Sequence, residues 1–192
     1  MNNLILASGS PRRKELLENL RIPFTVSVSN IEEIIDAHLP PEDVVMSLAY
    51  QKAKNISNYN PNSYVIGADT IVISNGELLG KPQNRDDAFN TLTKLSGSKH
   101  QVLTGVALIS PQLEKTFFES TEVTFWELTE QEITEYIDSG EPFDKAGSYG
   151  IQGLGALLVK ELKGDYFSVV GLPVARTVRE LKKIGYYPKI TK

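Results

Sequence analysis

Cysteine is absent from these 192 residues, which excludes disulfides, thiolate zinc sites and a cysteine nucleophile. Histidine is scarce: there are two, His38 and His100, with no ligand-like spacing, and both are expected at the surface or in loops. Any metal would therefore be held mainly by oxygen, which makes a hard divalent cation the natural candidate. Long apolar runs are also missing. No stretch approaches the roughly 18 consecutive apolar residues of a spanning helix, and the start, MNNLILASGSPRRKELL, lacks the basic-then-apolar order of a signal peptide. A cytoplasmic protein without membrane association is expected. Nor is there an excess of basic residues. A formal net charge of -4 argues against a nucleic-acid binder, which needs a basic stripe, whereas a small anionic substrate needs only local positive charge. Ser10 lacks the Gly-x-Ser-x-Gly elbow of a serine hydrolase, so a Ser-His triad is disfavoured.

The 41% hydrophobic content suffices for a core in one domain, residues 1–192, or in two closely joined lobes. Leu4 to Ala7 reads as a buried strand. Ser10 and Pro11 then open a helix through Leu20, as N-cap and first helical residue. A strand over 24–28 and a helix over 42–55 follow. Tyr64 to Ser74 is strongly β-forming, and Asn75-Gly76 should return the chain through Leu78 and Leu79 as a hairpin. A helix over 85–95 precedes two long strands, 101–109 and 116–128, joined near Pro111. Thr129 and Glu132 form a capping box for a helix ending before Gly140. The stretch 144–155 is a glycine-rich loop; 157–162 and 166–170 read as strands about Lys163-Gly164, and a last helix covers 172–184. Helices mixed with strands and no repeat imply an α/β or α+β fold.

Three segments combine residues with chemical potential. In the run from Ser8 to Arg13, a flexible turn, a helix N-terminus and two guanidinium groups converge, all suited to phosphate oxygens; an ordinary capped helix with two solvated arginines would read the same way. Asp69 lies in Gly67-Ala68-Asp69-Thr70 between apolar neighbours, where a carboxylate is costly without a cation to compensate it; the alternative is an Asp capping local backbone. In Asp144 to Gly153 the glycines let backbone approach a ligand, and Gln152 offers an amide that can donate and accept to a pyrimidine; the alternative is a tight inter-strand loop with Tyr149 in the core. Glu32-Glu33 could reach a metal, and Lys52 and Lys81 could neutralise a polyphosphate, although each alone is the kind of residue commonly left in solvent.

Together these segments closely resemble the Maf family of nucleoside triphosphate pyrophosphatases, some members of which were first named as septum-formation inhibitors. The likeness rests on SGSPRRKELL at 8 to 17, EE at 32 to 33, QKA at 51 to 53, GADT at 67 to 70, GKP at 80 to 82, LSG at 95 to 97 and DKAGSYGIQG at 144 to 153. It implies an elongated, mixed-sheet α/β fold of two lobes with a central cleft, similar to inosine triphosphate pyrophosphatases. It implies further that Asp69 is the proton acceptor and that Glu33 helps to hold a metal; the mechanism expected on this basis has Mg²⁺ or Mn²⁺ bound through Asp69 and Glu33. Arg13, Lys52 and Lys81 match the family's substrate-binding cations. Arg12, Thr70 and Gln152 match the specificity positions of the branch acting on dTTP and UTP; in the expected mechanism Lys52, Lys81, Arg12 and Arg13 offset the charge on the triphosphate, with Ser8, Ser10 and the helix N-terminus adding donors. Water activated by Asp69, or as hydroxide on the metal, would expel pyrophosphate from the α-phosphate. The other readings are broad clearance of modified nucleotides, or a nucleotide-binding regulator of cell division without turnover. A homodimer is left open.

Overall fold

The computed structural model describes residues 3–36 and 38–188. Among these residues a seven-stranded mixed sheet forms, in the order β2-β1-β3-β5-β6-β7 with β4 paired to β3. Its strands are β1 (Leu4–Leu6), β2 (Thr25–Val26), β3 (Tyr64–Ser74), β4 (Glu77–Leu79), β5 (Lys99–Ile109), β6 (Glu114–Phe125) and β7 (Val159–Lys163). β1 runs parallel to both β2 and β3, while β3–β4 and β6–β7 are antiparallel. The helices are α1 (Pro11–Asn19), α2 (Pro41–Tyr59), α3 (Arg85–Leu95), α4 (Glu130–Asp138), α5 (Tyr166–Val170) and α6 (Val174–Lys183). No helix among the described residues is long and apolar enough to cross a membrane.

Local chemistry accounts for several of these boundaries. Ser10 caps α1 by accepting from the Arg13 N–H, with Pro11 at the helix start, where its missing N–H costs nothing. Asn75 and Gly76 take φ of 50° and 80°, the double positive φ of a two-residue hairpin turn, and set Ser74 opposite Glu77. Thr129 and Glu132 cap α4 reciprocally.

Several expectations need correction. β2 is two residues long, both exposed, and the anticipated strand over 157–162 begins at Val159 after a 3-10 turn, Gly153–Leu158. Tyr166–Val170 is a helix, although its composition favours a strand. Capping overrides propensity here: the Asp165 carboxylate accepts from the Phe167 N–H (2.8 Å), and Ser168 Oγ donates back to the Asp165 carbonyl (2.8 Å). Thr121 Oγ1 in turn accepts the Asp165 N–H (3.0 Å), so the turn is satisfied before any ladder could form. His100 is buried rather than superficial. It lies on β5, 3% exposed, shares a 2.7 Å hydrogen bond with the Tyr149 hydroxyl, and meets Phe125 and Tyr149 edge-on.

The chain divides into two compact units. The first comprises Met1–Asp69, Thr104–Glu119 and Gly171–Lys192. In its core α2 lays Ala49, Ala53 and Ile56 over Ile5 and Ala7, Val65 of β3, and Ala107 and Ile109 of β5. Two glycines set how closely that helix lies on the strands. A Cβ on Gly67 would come within 2.3 Å of the Ala49 carbonyl oxygen and 2.9 Å of the Ala53 nitrogen, and one on Gly105 within 2.4 Å of the Val45 oxygen.

The second unit comprises Thr70–Leu103 and Ser120–Val170. Its core gathers Ala88, Leu92 and Leu95 of α3 and Ile133, Tyr136 and Ile137 of α4 around Val102, Val123, Phe125 and Tyr149. Within it, burial pushes the His100 imidazole down to about 4 from 6.5 and raises the Tyr149 phenol. The sign follows from proton linkage: the unfolded chain protonates His100 near 6.5, but the folded chain resists until about 4. Its stabilising contribution is therefore whole above pH 6.5 and drains away as pH falls to 4, a loss of about 3 kcal/mol. Urea unfolding midpoints of the parent and of His100→Gln, measured from about pH 7 to about pH 4, should show the shallower fall in the variant. Identical slopes would assign the acid sensitivity to other groups.

Candidate active site

In the first unit, the turn after β1 and the start of α1 bring together Ser8, Ser10, Arg12 and Arg13. Ser8 Oγ accepts from the Ser10 N–H (3.2 Å) and from Arg13 Nη1 (3.2 Å), which leaves its own hydroxyl hydrogen to donate. Arg13 Nε donates to the Gly171 carbonyl (2.7 Å), so this side chain is half-buried and fixed, not a solvated arginine. Withdrawal from water is the largest influence on its pKa and lowers it; Asp69 and Glu33 pull upward, and Arg12 pushes down. Arg12 is half-buried as well.

Lys52 of α2 lies between two carboxylates: its Nζ is 2.6 Å from Asp69 Oδ1 on β3 and 3.1 Å from Glu33 Oε1. The Lys52 and Asp69 side chains are each 16% exposed, and Glu33 is 39% exposed. Asp69 is thus half-buried within a regular strand and ion-paired, rather than capping local backbone. Gln51 holds the approach of the acidic segment, accepting from the Ile34 N–H (3.0 Å) and donating to its carbonyl (2.8 Å). Gly67 adds what sequence reading missed. Its lack of a side chain lets the 49–53 stretch of α2 rest on β3, which puts Lys52 within reach of Asp69 two residues along. The close spacing of GADT was the only available signal, and its partner QKA lies in a different element. Glu32 is exposed.

The second unit holds Thr70, Lys81 and Gln152. Thr70 is half-buried on β3, and Lys81 is exposed after β4. The GKP segment meets the glycine-rich loop through the Gly147 N–H, which donates to the Gly80 carbonyl (3.0 Å). Gly147 has φ of 69°, and a Cβ there would strike Val72 at 2.9 Å, so only glycine suits the position. The loop consists of 3-10 turns, Glu141–Asp144, Ala146–Ser148 and Gly153–Leu158, with Tyr149 in the core as the structural alternative for that segment has it. The side chains of Lys81 and Gln152 make no hydrogen bond or ion pair among the described residues.

No group of three or more His, Asp or Glu side chains converges among the described residues. The donor set that does converge, Glu33 and Asp69 on one ammonium, is hard and anionic. It suits a cation such as Mg²⁺, which takes one or two carboxylates and completes its shell with water and substrate phosphates instead of a full protein cage.

A Bacillus cereus protein named dTTP/UTP pyrophosphatase is 58% identical over 183 residues, covering 95% of this chain and 96% of its own. A Bacillus mycoides protein of the same name is 57% identical over the same shares. Among solved structures, the Staphylococcus aureus Ham1 protein superposes with a TM-score of 0.47 at 13% identity, covering 66% of this chain and 73% of that one. The model of the family described as Maf-like protein matches residues 3–184, and the chain belongs to that family.

Proposed function

We propose that this protein hydrolyses nucleoside triphosphates, dTTP and UTP foremost, between the α and β phosphates, yielding the nucleoside monophosphate and pyrophosphate. The observation that carries this reading is the Glu33–Lys52–Asp69 constellation beside Arg13, in a chain so similar to proteins bearing that activity in their name. We take the two units to act as one functional domain, in the cytoplasm, where a cysteine-free enzyme of nucleotide metabolism would find its substrate.

Each residue has a task that its setting supports. Arg13, held by the Gly171 carbonyl, presents a fixed guanidinium to phosphate oxygens. Ser8 donates its hydroxyl, and Ser10 and the first turn of α1 offer backbone N–H groups. Arg12 and Lys81 offset further charge on the triphosphate. Asp69 accepts the proton of the attacking water. Lys52 orients that carboxylate and compensates its charge, and is also available to a phosphate oxygen. Thr70 and Gln152 contact the base, the latter through an amide that donates as well as accepts. A divalent cation, Mg²⁺ or Mn²⁺, would be held by Glu33 and Asp69 and would supply electrostatic stabilisation of charge developing on the phosphoryl oxygens.

The test is a panel of nucleotides assayed with and without divalent metal, with the phosphate species identified. Pyrophosphate and monophosphate from dTTP and UTP, in a metal-dependent reaction, are expected. Orthophosphate with a diphosphate would overturn the reading, as would turnover that ignores a chelator.

A further inference from the structure

We propose that Glu141 is a positioning residue for Gln152: its carboxylate caps the turn that Gln152 begins and so fixes the backbone from which the glutamine amide reaches the base. The inference rests on the reading of Gln152 as a base contact. Gln152 occupies the cap position of the 3-10 turn Gly153–Leu158, yet its side chain makes no capping hydrogen bond. The N–H groups of the second and third residues of that turn are nevertheless satisfied. Glu141, eleven positions earlier in the chain, accepts from the Leu154 N–H at Oε1 (3.1 Å) and from the Gly155 N–H at Oε2 (3.4 Å). Ser, Thr, Asp or Asn at a cap position turns its side chain onto these donors, a role for which glutamine is not suited; here a carboxylate from elsewhere takes them, with the added strength of a charged acceptor.

The backbone that carries this side chain is itself held from both sides. The Glu141 N–H donates to Ser139 Oγ (3.2 Å), and its carbonyl accepts from Lys145 Nζ (2.5 Å). Gly153 lets the turn close on it: φ is 65°, and a Cβ there would lie 2.6 Å from Glu141 Oε1. Leu154 is 49% exposed, so its side chain does not tie the turn to the core; its N–H is held by the Glu141 carboxylate.

The experiment compares kcat/KM for dTTP, UTP, CTP and GTP in the parent, Glu141→Ala, Glu141→Gln, Gln152→Ala and the Glu141→Ala/Gln152→Ala double variant, all with Mg²⁺. Glu141→Ala should lower the dTTP and UTP values about tenfold, chiefly through KM, while moving GTP least, so that the preference flattens. Glu141→Gln keeps an acceptor oxygen and should retain most of the preference. In the double variant, loss of Glu141 should add nothing to the change in preference made by Gln152→Ala.

Multiplying effects in the double variant, or an equal fall for all four nucleotides in Glu141→Ala, would overturn the proposal. If Glu141→Ala does not fold, Glu141→Asp, whose shorter carboxylate cannot reach both N–H groups, takes its place: a flattened preference to which Gln152→Ala adds nothing supports the proposal, and an unchanged preference or multiplying effects overturn it. Amide exchange at Leu154 and Gly155 separates the two levels of failure. Protection lost in a Glu141 variant with the preference intact defeats the positioning role alone. An unchanged preference in Gln152→Ala defeats the base reading, and this inference with it.

Discussion

Asp69→Asn is expected to abolish turnover, lowering kcat by about a thousandfold or more, while leaving the fold intact. The amide is nearly isosteric with the carboxylate, so the packing of β3 against α2 has no reason to change. What disappears is the carboxylate proposed as the proton acceptor, and with it one of the two anionic oxygens on Lys52 Nζ. Lys52 retains Glu33 at 3.1 Å, so the ammonium is not stranded, and the stability cost is about 1–3 kcal/mol for a pair whose side chains are each 16% exposed, which leaves the fold standing. Stopped assays for pyrophosphate, run beside urea unfolding curves, check both halves. Near-normal kcat with unchanged metal dependence would make Asp69 a structural residue.

Gly67→Ala is expected to destabilise the protein by about 3 kcal/mol or more, at the upper end for overpacking, because the new methyl meets backbone that cannot rotate aside. Its Cβ would lie 2.3 Å from the Ala49 oxygen, 2.8 Å from the Ala53 Cβ and 2.9 Å from the Ala53 nitrogen. Relief requires α2 to lift from β3, and Lys52 lifts with it. The variant should therefore show both a lower urea midpoint and, in whatever fraction folds, a loss of activity larger than that fraction explains. A midpoint within error of the parent would mean that α2 slides without cost, and the role given to this glycine would fail. A neighbouring control is Gly76→Ala on the hairpin: nothing lies within 4 Å of its Cβ, so its cost comes only from the positive φ.

What could be read in the sequence follows from the range of the interactions involved. Ser10-Pro11, Asn75-Gly76 and Thr129 with Glu132 carry their instructions within two to four residues, and α1, the β3–β4 hairpin and α4 appear where those signals stand. Tyr166–Val170 misleads because its β-favouring side chains are outvoted by Asp165 and by Thr121 on a different element. His100 gives no local hint of burial, since its partners, Phe125 and Tyr149, lie far along the chain. The site shows the same division. Asp69 and the Ser8–Arg13 turn stand out through context, a carboxylate in an apolar run and cations at a helix start. That Lys52 joins Asp69 to Glu33 depends on a helix lying on a strand at a glycine, and that Glu141 caps the turn after Gln152 depends on the loop folding back on itself; neither leaves a periodicity to find.

The bond from Arg13 to the carbonyl of Gly171 has a bearing on the order in which the protein is made. Synthesis runs from the N-terminus at about 5–20 residues per second. Arg13 emerges early, but its acceptor and the buried Leu172, Val174 and Leu181 belong to the last segment of the first unit. All residues of the second unit precede Gly171. The unit begun first at the ribosome is thus the one completed last, and Arg13 acquires its anchor only after the loop that carries Gln152 has all the chain it needs to form.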